Sequence, residues 1–176
     1  MNVTTIVLIF TLVSFLSSAQ VTYSVYKSPR FGFQLRYPST WEGGGTDVGF
    51  YMRNFPKEEQ VHGVVVPKNG AEITVLSGPA DMRDRESWEK RDLINEPALY
   101  RREVPVDKKN VHGCSDLTEV AWRWEAGPGA YFRETAFYCV GHGQMFRIRL
   151  THRQGNPQSE QLRRIAEEMA RSFQIP

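Results

Sequence analysis

Four side chains have types and spacing that could do chemistry: His112, Cys114, Cys139 and His142, an H-x-C and a C-x-x-H. Two cysteines in an exported chain usually pair, whereas two thiolates with two imidazoles form a set that tetrahedral zinc accepts. Both fates use the thiols, so each excludes the other. Neither is reachable unless the chain brings positions 112–114 and 139–142 together.

A hairpin does so. The stretches LTEVAWRWEA (117–126) and AYFRETAFYCV (130–140) flank Gly-Pro-Gly, a three-residue connection suited to antiparallel strands. Residues equidistant from Pro128 then face each other, which puts Cys139 opposite Leu117 and Cys114 opposite His142. The cysteines arrive at the same open end, about three residues off register on this pairing, and a bridge needs the segment Gly113 to Asp116 to curl back. On the chain-entropy account that closure stabilises by roughly 3 to 4 kcal/mol. Oxidation is favoured outside the cytosol, so a Cys114–Cys139 disulfide is expected. A labile metal site on His112 and His142 is the alternative.

Catalysis has less footing. GxSxG, HExxH and SxxK are all absent, and neither Ser115 nor Ser172 has a motif partner. The glycines at 43–45 do not form a phosphate loop, because GxxxxGK[ST] and GxGxxG are missing. Glu119, Glu125 and Glu134 are expected to pair with neighbouring arginines, Arg123 or Arg133. Arg147, Arg149, Arg163 and Arg164 read as a solvated face, with Glu160, Glu167 and Glu168 interleaved among the last two. The expectation is a protein that is not an enzyme and carries no cofactor; a hydrolase with a dispersed site is a third reading.

The chain opens with an apolar run from Ile6 to Leu16 followed by Ser17, Ser18 and Ala19, the small residues that precede a signal-peptidase cut. Residues 1–19 are therefore read as a signal peptide and 20–176 as a single domain, secreted or periplasmic. Retention of the leader as an anchor is the alternative. The apolar run falls short of the ~20 residues of a spanning helix, so no membrane span is expected after cleavage. The 22 basic and 20 acidic side chains balance at a net charge of +2, too even for a nucleic-acid partner. A protein or envelope component fits better.

Several elements must position these residues. VTYSVY (21–26) suits a strand, and Phe31, Phe33, Leu35 and Tyr37 alternate with polar or small residues until Pro38 stops the ladder. Trp41 reads as a plug over that strand end. Residues 43–47 read as flexible, 48–55 as a strand, 56–70 as a loop with one edge strand near 64–66, and 71–77 as a strand. A helix falls within 81–97, from an Asp84 cap to a Pro97 stop, with a thin apolar stripe at Trp88 and Leu93 or Ile94. QMFRIRLTH (144–152) completes a three-strand meander. Asn156 caps a last helix, with Pro157 in its first position and Leu162, Ile165, Ala166, Met169 and Phe173 on one face.

An exported chain with Gly32, Phe33, Tyr37, Pro38 and Trp41 in a GFxxxYPxxW opening, a tryptophan-bearing middle helix, a closing strand pair and a terminal amphipathic helix ending in Ser172 and Phe173 resembles the PsbP-like domains. The resemblance spans residues 23 to 175. It implies an α+β fold, an α/β/α sandwich with a central antiparallel sheet flanked by helices, with Phe33, Tyr37, Pro38, Trp41 and Phe173 as its structural signature. That family includes an extrinsic photosystem subunit, a nuclear transport factor that binds a small GTPase, and exported bacterial proteins; what they share is docking. The chain is accordingly expected to be an exported, non-catalytic binding or assembly module that recognises a partner through loops around 43–70 and 106–116. A metal-handling protein is the alternative.

Overall fold

The computed structural model describes residues 21–46, 49–56, 66–78, 85–93, 96–141 and 143–175. The leader, most of the 56–70 loop, Asp84, Ile94 and His142 lie outside them. In order along the chain the elements are β1 (Tyr23–Lys27), β2 (Gln34–Pro38), β3 (Glu42–Gly45), β4 (Gly49–Arg53), β5 (Ala71–Ser77), α1 (Arg85–Leu93), β6 (Tyr100–Glu103), β7 (Asp116–Glu125), β8 (Tyr131–Gly141), β9 (Gln144–Arg153) and α2 (Ser159–Arg171). β1 and β2 form a separate antiparallel pair. The other seven strands form one antiparallel sheet in the order β3-β4-β5-β9-β8-β7-β6.

The meander sits at the centre of this sheet. Leu117 faces Cys139 in the β7–β8 register, as a turn centred on Pro128 requires, and Gly129 supplies the positive φ of that turn. Side chains alternate between the two faces, and here both faces are covered. Phe137, Phe146, Ile148 and Leu150 pack with Ile73 and Val75 against Leu162, Ile165, Ala166 and Met169 of α2. Ala136, Tyr138 and Met145 point the other way and pack with Val120 and Trp122 against Trp88 of α1. Trp88 lies so close to β5 that a methyl group on Gly78 would come within 2.5 Å of its ring.

Two elements differ from their sequence reading. The glycine run at 43–45 is no flexible linker but the edge strand β3, paired with β4 from Glu42 to Gly45. A Cβ on Gly43 would stand 2.3 Å from the Tyr51 carbonyl oxygen, so the absence of side chains is what admits this close, coiled approach. The second difference is at α2. Asn156 does not cap the helix directly: its Oδ1 accepts from the Gln158 amide at 2.9 Å, its carbonyl accepts from Ser159 at 3.1 Å, and the helix starts at Ser159. Asn156 and Pro157 thus form a turn in front of the helix.

The β1–β2 pair covers the end of the α2 face. Phe33 and Leu35 are buried, with Phe31 and Tyr37 packed against the same cluster. The Phe33 ring stacks on Phe173 at 5.0 Å and meets Phe146 edge-on at 5.6 Å. After Pro38 the chain turns back, the Trp41 amide donating to the Pro38 carbonyl at 3.0 Å, and the indole joins the main core with 9% of its surface exposed.

Charged groups fasten the helices. Glu119 is fully buried on β7 and is held by Arg102 of β6, by Arg163 of α2 and by the Tyr100 hydroxyl. Its partners are therefore not Arg123 or Arg133, the nearest basic residues in sequence; cross-strand and helix neighbours reach it instead. Glu167 bridges Arg102, Arg163 and Arg171. On the opposite face Asp92 of α1 pairs with Arg147, and both are buried; the Tyr138 hydroxyl adds a bond to Asp92 at 2.8 Å. Arg147 is thus no part of a solvated basic face. Burial lowers its pKa against the pull of Asp92, and burial beside Asp92 raises that of Tyr138.

Two outcomes follow from this packing. Trp41→Ala empties a site next to Leu162 and Ile165 and should cost about 3–5 kcal/mol, measured by denaturant unfolding with an unchanged slope; a loss of under about 1 kcal/mol would mean a ring that packs against nothing. Burial pushes Glu167 upward, but hydrogen bonds from Arg163, Arg171 and Arg102 more than reverse this and hold its carboxyl at about 2, against an ordinary 4.5. A depressed folded-state pKa contributes stability above pH 4.5 that is lost as pH falls toward 2. Glu167→Gln should therefore melt below the parent at pH 7, and the gap should close across that acid window.

Candidate functional site

Cys114 and Cys139 form a disulfide, with Cα atoms 5.3 Å apart. The Ser115 amide donates to the Val140 carbonyl at 2.7 Å, which curls the 113–116 segment back onto β8. With the thiols bridged, a Cys₂His₂ zinc site does not exist here. His112 faces the carboxyl-terminal segment: the Ile175 amide donates to its carbonyl at 2.7 Å, and its Nδ1 lies 3.4 Å from the Ile175 carbonyl oxygen. His142 lies outside the described residues. Among those residues no group of three ligating side chains could hold a metal.

One serine and one histidine do meet. His152 is buried, its Nε2 lies 3.3 Å from the Ser159 hydroxyl, and its Nδ1 lies 2.8 Å from the Arg153 carbonyl. Burial lowers the histidine pKa and keeps the ring neutral. Neither residue lines a described cavity. The pair is a tie between β9 and the start of α2.

The larger polar feature is a cleft of about 440 Å³ on the α1 side of the sheet. Its floor comes from four neighbouring strands. In register across the sheet, Arg53 on β4 faces Glu72 on β5, Glu72 faces Thr151 on β9, Thr151 faces Glu134 on β8, and Glu134 faces Trp122 on β7. Trp124 lies two residues along β7 on the same face, and Asp92, Leu93 and Glu96 at the end of α1 make a wall. Five carboxylates and one guanidinium, Arg149, line the space.

Some of these charges are already used. Glu134 is buried; its Oε1 accepts from Trp124 Nε1 at 3.1 Å and from Thr151 at 3.2 Å, and its Oε2 lies 3.5 Å from Arg149. Asp92 is engaged by Arg147. Glu72, Glu96 and Glu125 have no ion pair among the described residues; Glu125 only accepts from the Gly129 amide. Burial raises the Glu72 carboxyl above its ordinary value, against the nearby Arg149 and Arg53. Sequence reading missed this site except for Glu125, Glu134 and Arg149, which it read as pieces of surface. The alternation in β7, with Trp122 and Trp124 on one face, was its one visible signal.

A second depression lies beside the disulfide, lined by Asp107, Lys108, Asn110 and Val111, and Val111 is 70% exposed. It carries little charge organisation. The other predicted positions serve packing: Phe33, Trp41 and Phe173 are core residues, Tyr37 packs on them, and Pro38 is buried.

No protein-family model matches the chain, and no curated protein matches it either. Solved structures do. The solution structure of cyanobacterial PsbP (CyanoP) from Synechocystis sp. PCC 6803 is similar with a TM-score of 0.56 at 11% identity, over 94% of this chain and 99% of that one. The Ran-binding protein Mog1p of Saccharomyces cerevisiae is similar with a TM-score of 0.54 at 10% identity, over 89% of this chain and 96% of that one. At such identities the likeness concerns the backbone arrangement. The chain has the PsbP and Mog1 fold.

Proposed function

We propose that this protein is a non-catalytic binding or assembly module that acts outside the cytosol on a protein or envelope partner. The reading rests on one observation above all: the cleft on the α1 side keeps carboxylates that no cation of the described chain neutralises, beside two tryptophans. The buried acids that could have served proton transfer, Glu119, Asp92 and Glu134, are instead held by arginines. What remains is recognition chemistry. In this reading the sheet, with α1 on one face and α2 on the other, is an α/β/α scaffold that presents the cleft.

Two further observations support it. Mog1p, which has the same fold, is a Ran-binding protein, so the arrangement is compatible with docking. The disulfide fits export through a leader at residues 1–19 and an oxidising compartment. The partner is carried over from neither neighbour.

The test places a photoreactive residue at Glu125, on the cleft, and separately at Lys108, beside the disulfide, in cells that make the full chain. A discrete, saturable crosslink from Glu125 supports the reading, and one from Lys108 alone moves the recognition surface to the 106–116 loop. Turnover of a generic ester, peptide or phosphate by the purified protein, abolished by a single substitution, would overturn it.

A further inference from the structure

Four buried side-chain atoms lack a hydrogen-bond partner among the described residues: Arg53 Nε, Thr74 Oγ1, Arg147 Nε and Arg149 Nε. By register all four belong to the same face of β4, β5 and β9, the face that carries the cleft. Native interiors leave few such groups unmet, and a cluster of them calls for a partner from outside the chain. Arg53 is the extreme case. Its side chain is only 5% exposed and touches the rings of Tyr51 and Phe55, yet no acceptor meets it among the described residues; it stands beside Glu72 in the cleft's floor row. Arg149 lines the cleft itself, and Thr74 is its register partner on β5.

The site thus asks for two things at once. The unmet Nε–H groups and the hydroxyl call for an acceptor oxygen, while Glu72, Glu96 and Glu125 call for a cation. The walls of Trp122 and Trp124 suit an alkyl stem or a flat cation, which an indole face attracts. A basic residue within a peptide offers all of these: a carbonyl oxygen, an apolar stem and a charged head. A free metal ion offers no acceptor, and a simple anion would meet the uncompensated carboxylates at the rim.

We propose that the cleft floored by Glu72, Thr151 and Glu134 receives a lysine or arginine side chain of a protein partner, with the partner's backbone carbonyl turned toward Arg149 and Thr74. This rests on the partner-binding reading and specifies its chemistry. The head sits between Glu72 and the rim carboxylates. The stem lies on the tryptophans.

The experiment uses the full mature chain and a blocked peptide, acetyl-Ala-Lys-Ala-Arg-Ala-amide, followed by calorimetry and by the intrinsic tryptophan fluorescence. Three controls accompany it: the same peptide with glutamine at both basic positions, spermidine alone, and the variants Glu72→Gln and Glu125→Gln. The expected result is saturable binding of the basic peptide that weakens with added salt. Glu72→Gln should lower affinity by about tenfold or more, the effect of losing one charge-assisted hydrogen bond. Glu72→Gln should fold, since it replaces a half-buried carboxylate by its neutral isostere, and an unchanged melting curve checks this; Glu125→Gln, at an exposed rim position, should also weaken binding. Equal affinity for the neutral peptide, full affinity in both variants, or spermidine binding as tightly as the peptide would each overturn the proposal. A crosslink from Lys108 in cells, with no basic-peptide binding, would remove this proposal while leaving the module reading intact.

Discussion

The structure depends on the central strands being covered on both faces. In β8 the residues Phe137 and Cys139 look toward α2, while Ala136 and Tyr138 look toward α1, and all four are fully buried. A strand exposed on one side needs only every second residue to be apolar; one covered on both sides has no polar parity left. Any polar group placed there must find a partner inside the protein. That requirement explains the distribution of charge in the rest of the molecule.

Buried ion pairs rarely stabilise a fold beyond what an apolar filling would, but leaving one member alone is costly. The chain follows this rule closely over most of its interior. Glu119 gathers Arg102, Arg163 and Tyr100, joining β6, β7 and α2. Asp92 gathers Arg147 and Tyr138, joining α1 to β8 and β9. Each knot ties a helix to the sheet at a defined position, which a smooth apolar contact would not fix. The floor of the cleft departs from the rule: Arg53 and Glu72 are neighbours in register, yet neither makes a hydrogen bond to a described residue. A site that is incomplete in this way makes physical sense when its completion arrives from elsewhere.

Local contacts were legible in the sequence and long-range ones were not. Gly-Pro-Gly with alternating flanks specifies the β7–β8 register, and from that register the proximity of Cys114 and Cys139 follows. The apolar spacing from Leu162 to Met169 specifies the buried side of α2. The pairing of β5 with β9, by contrast, joins segments some 70 residues apart, Ala71 facing His152, and no local signal encodes it. The cleft needs that pairing, because Glu72 comes from β5 while Thr151 and Arg149 come from β9. The same is true of Arg102 and Glu119: β6 has no alternating apolar pattern, since its sequence YRRE spends its side chains on the acids and bases around it. Glycine at 43–45 misled for a related reason, as a strand without side chains has no periodicity to read.

A backbone arrangement shared with PsbP and Mog1p at 10–11% identity means that the fold tolerates nearly complete replacement of its surface. What such a fold constrains is the two-sided core, and many sequences satisfy that. Function then has to be sought in the groups that the core does not require. In this chain Trp88, Phe137 and Leu150 are accounted for by packing, and Glu119 and Arg147 by the pairs that anchor the helices. Glu72 is not accounted for in either way, since a carboxylate half-buried beside two arginines, without a bond to either, stabilises nothing in the free protein. A threonine or glutamine there would spare the chain the desolvation of a charge. The carboxylate is explicable as a group whose energy is recovered only when something else enters the cleft.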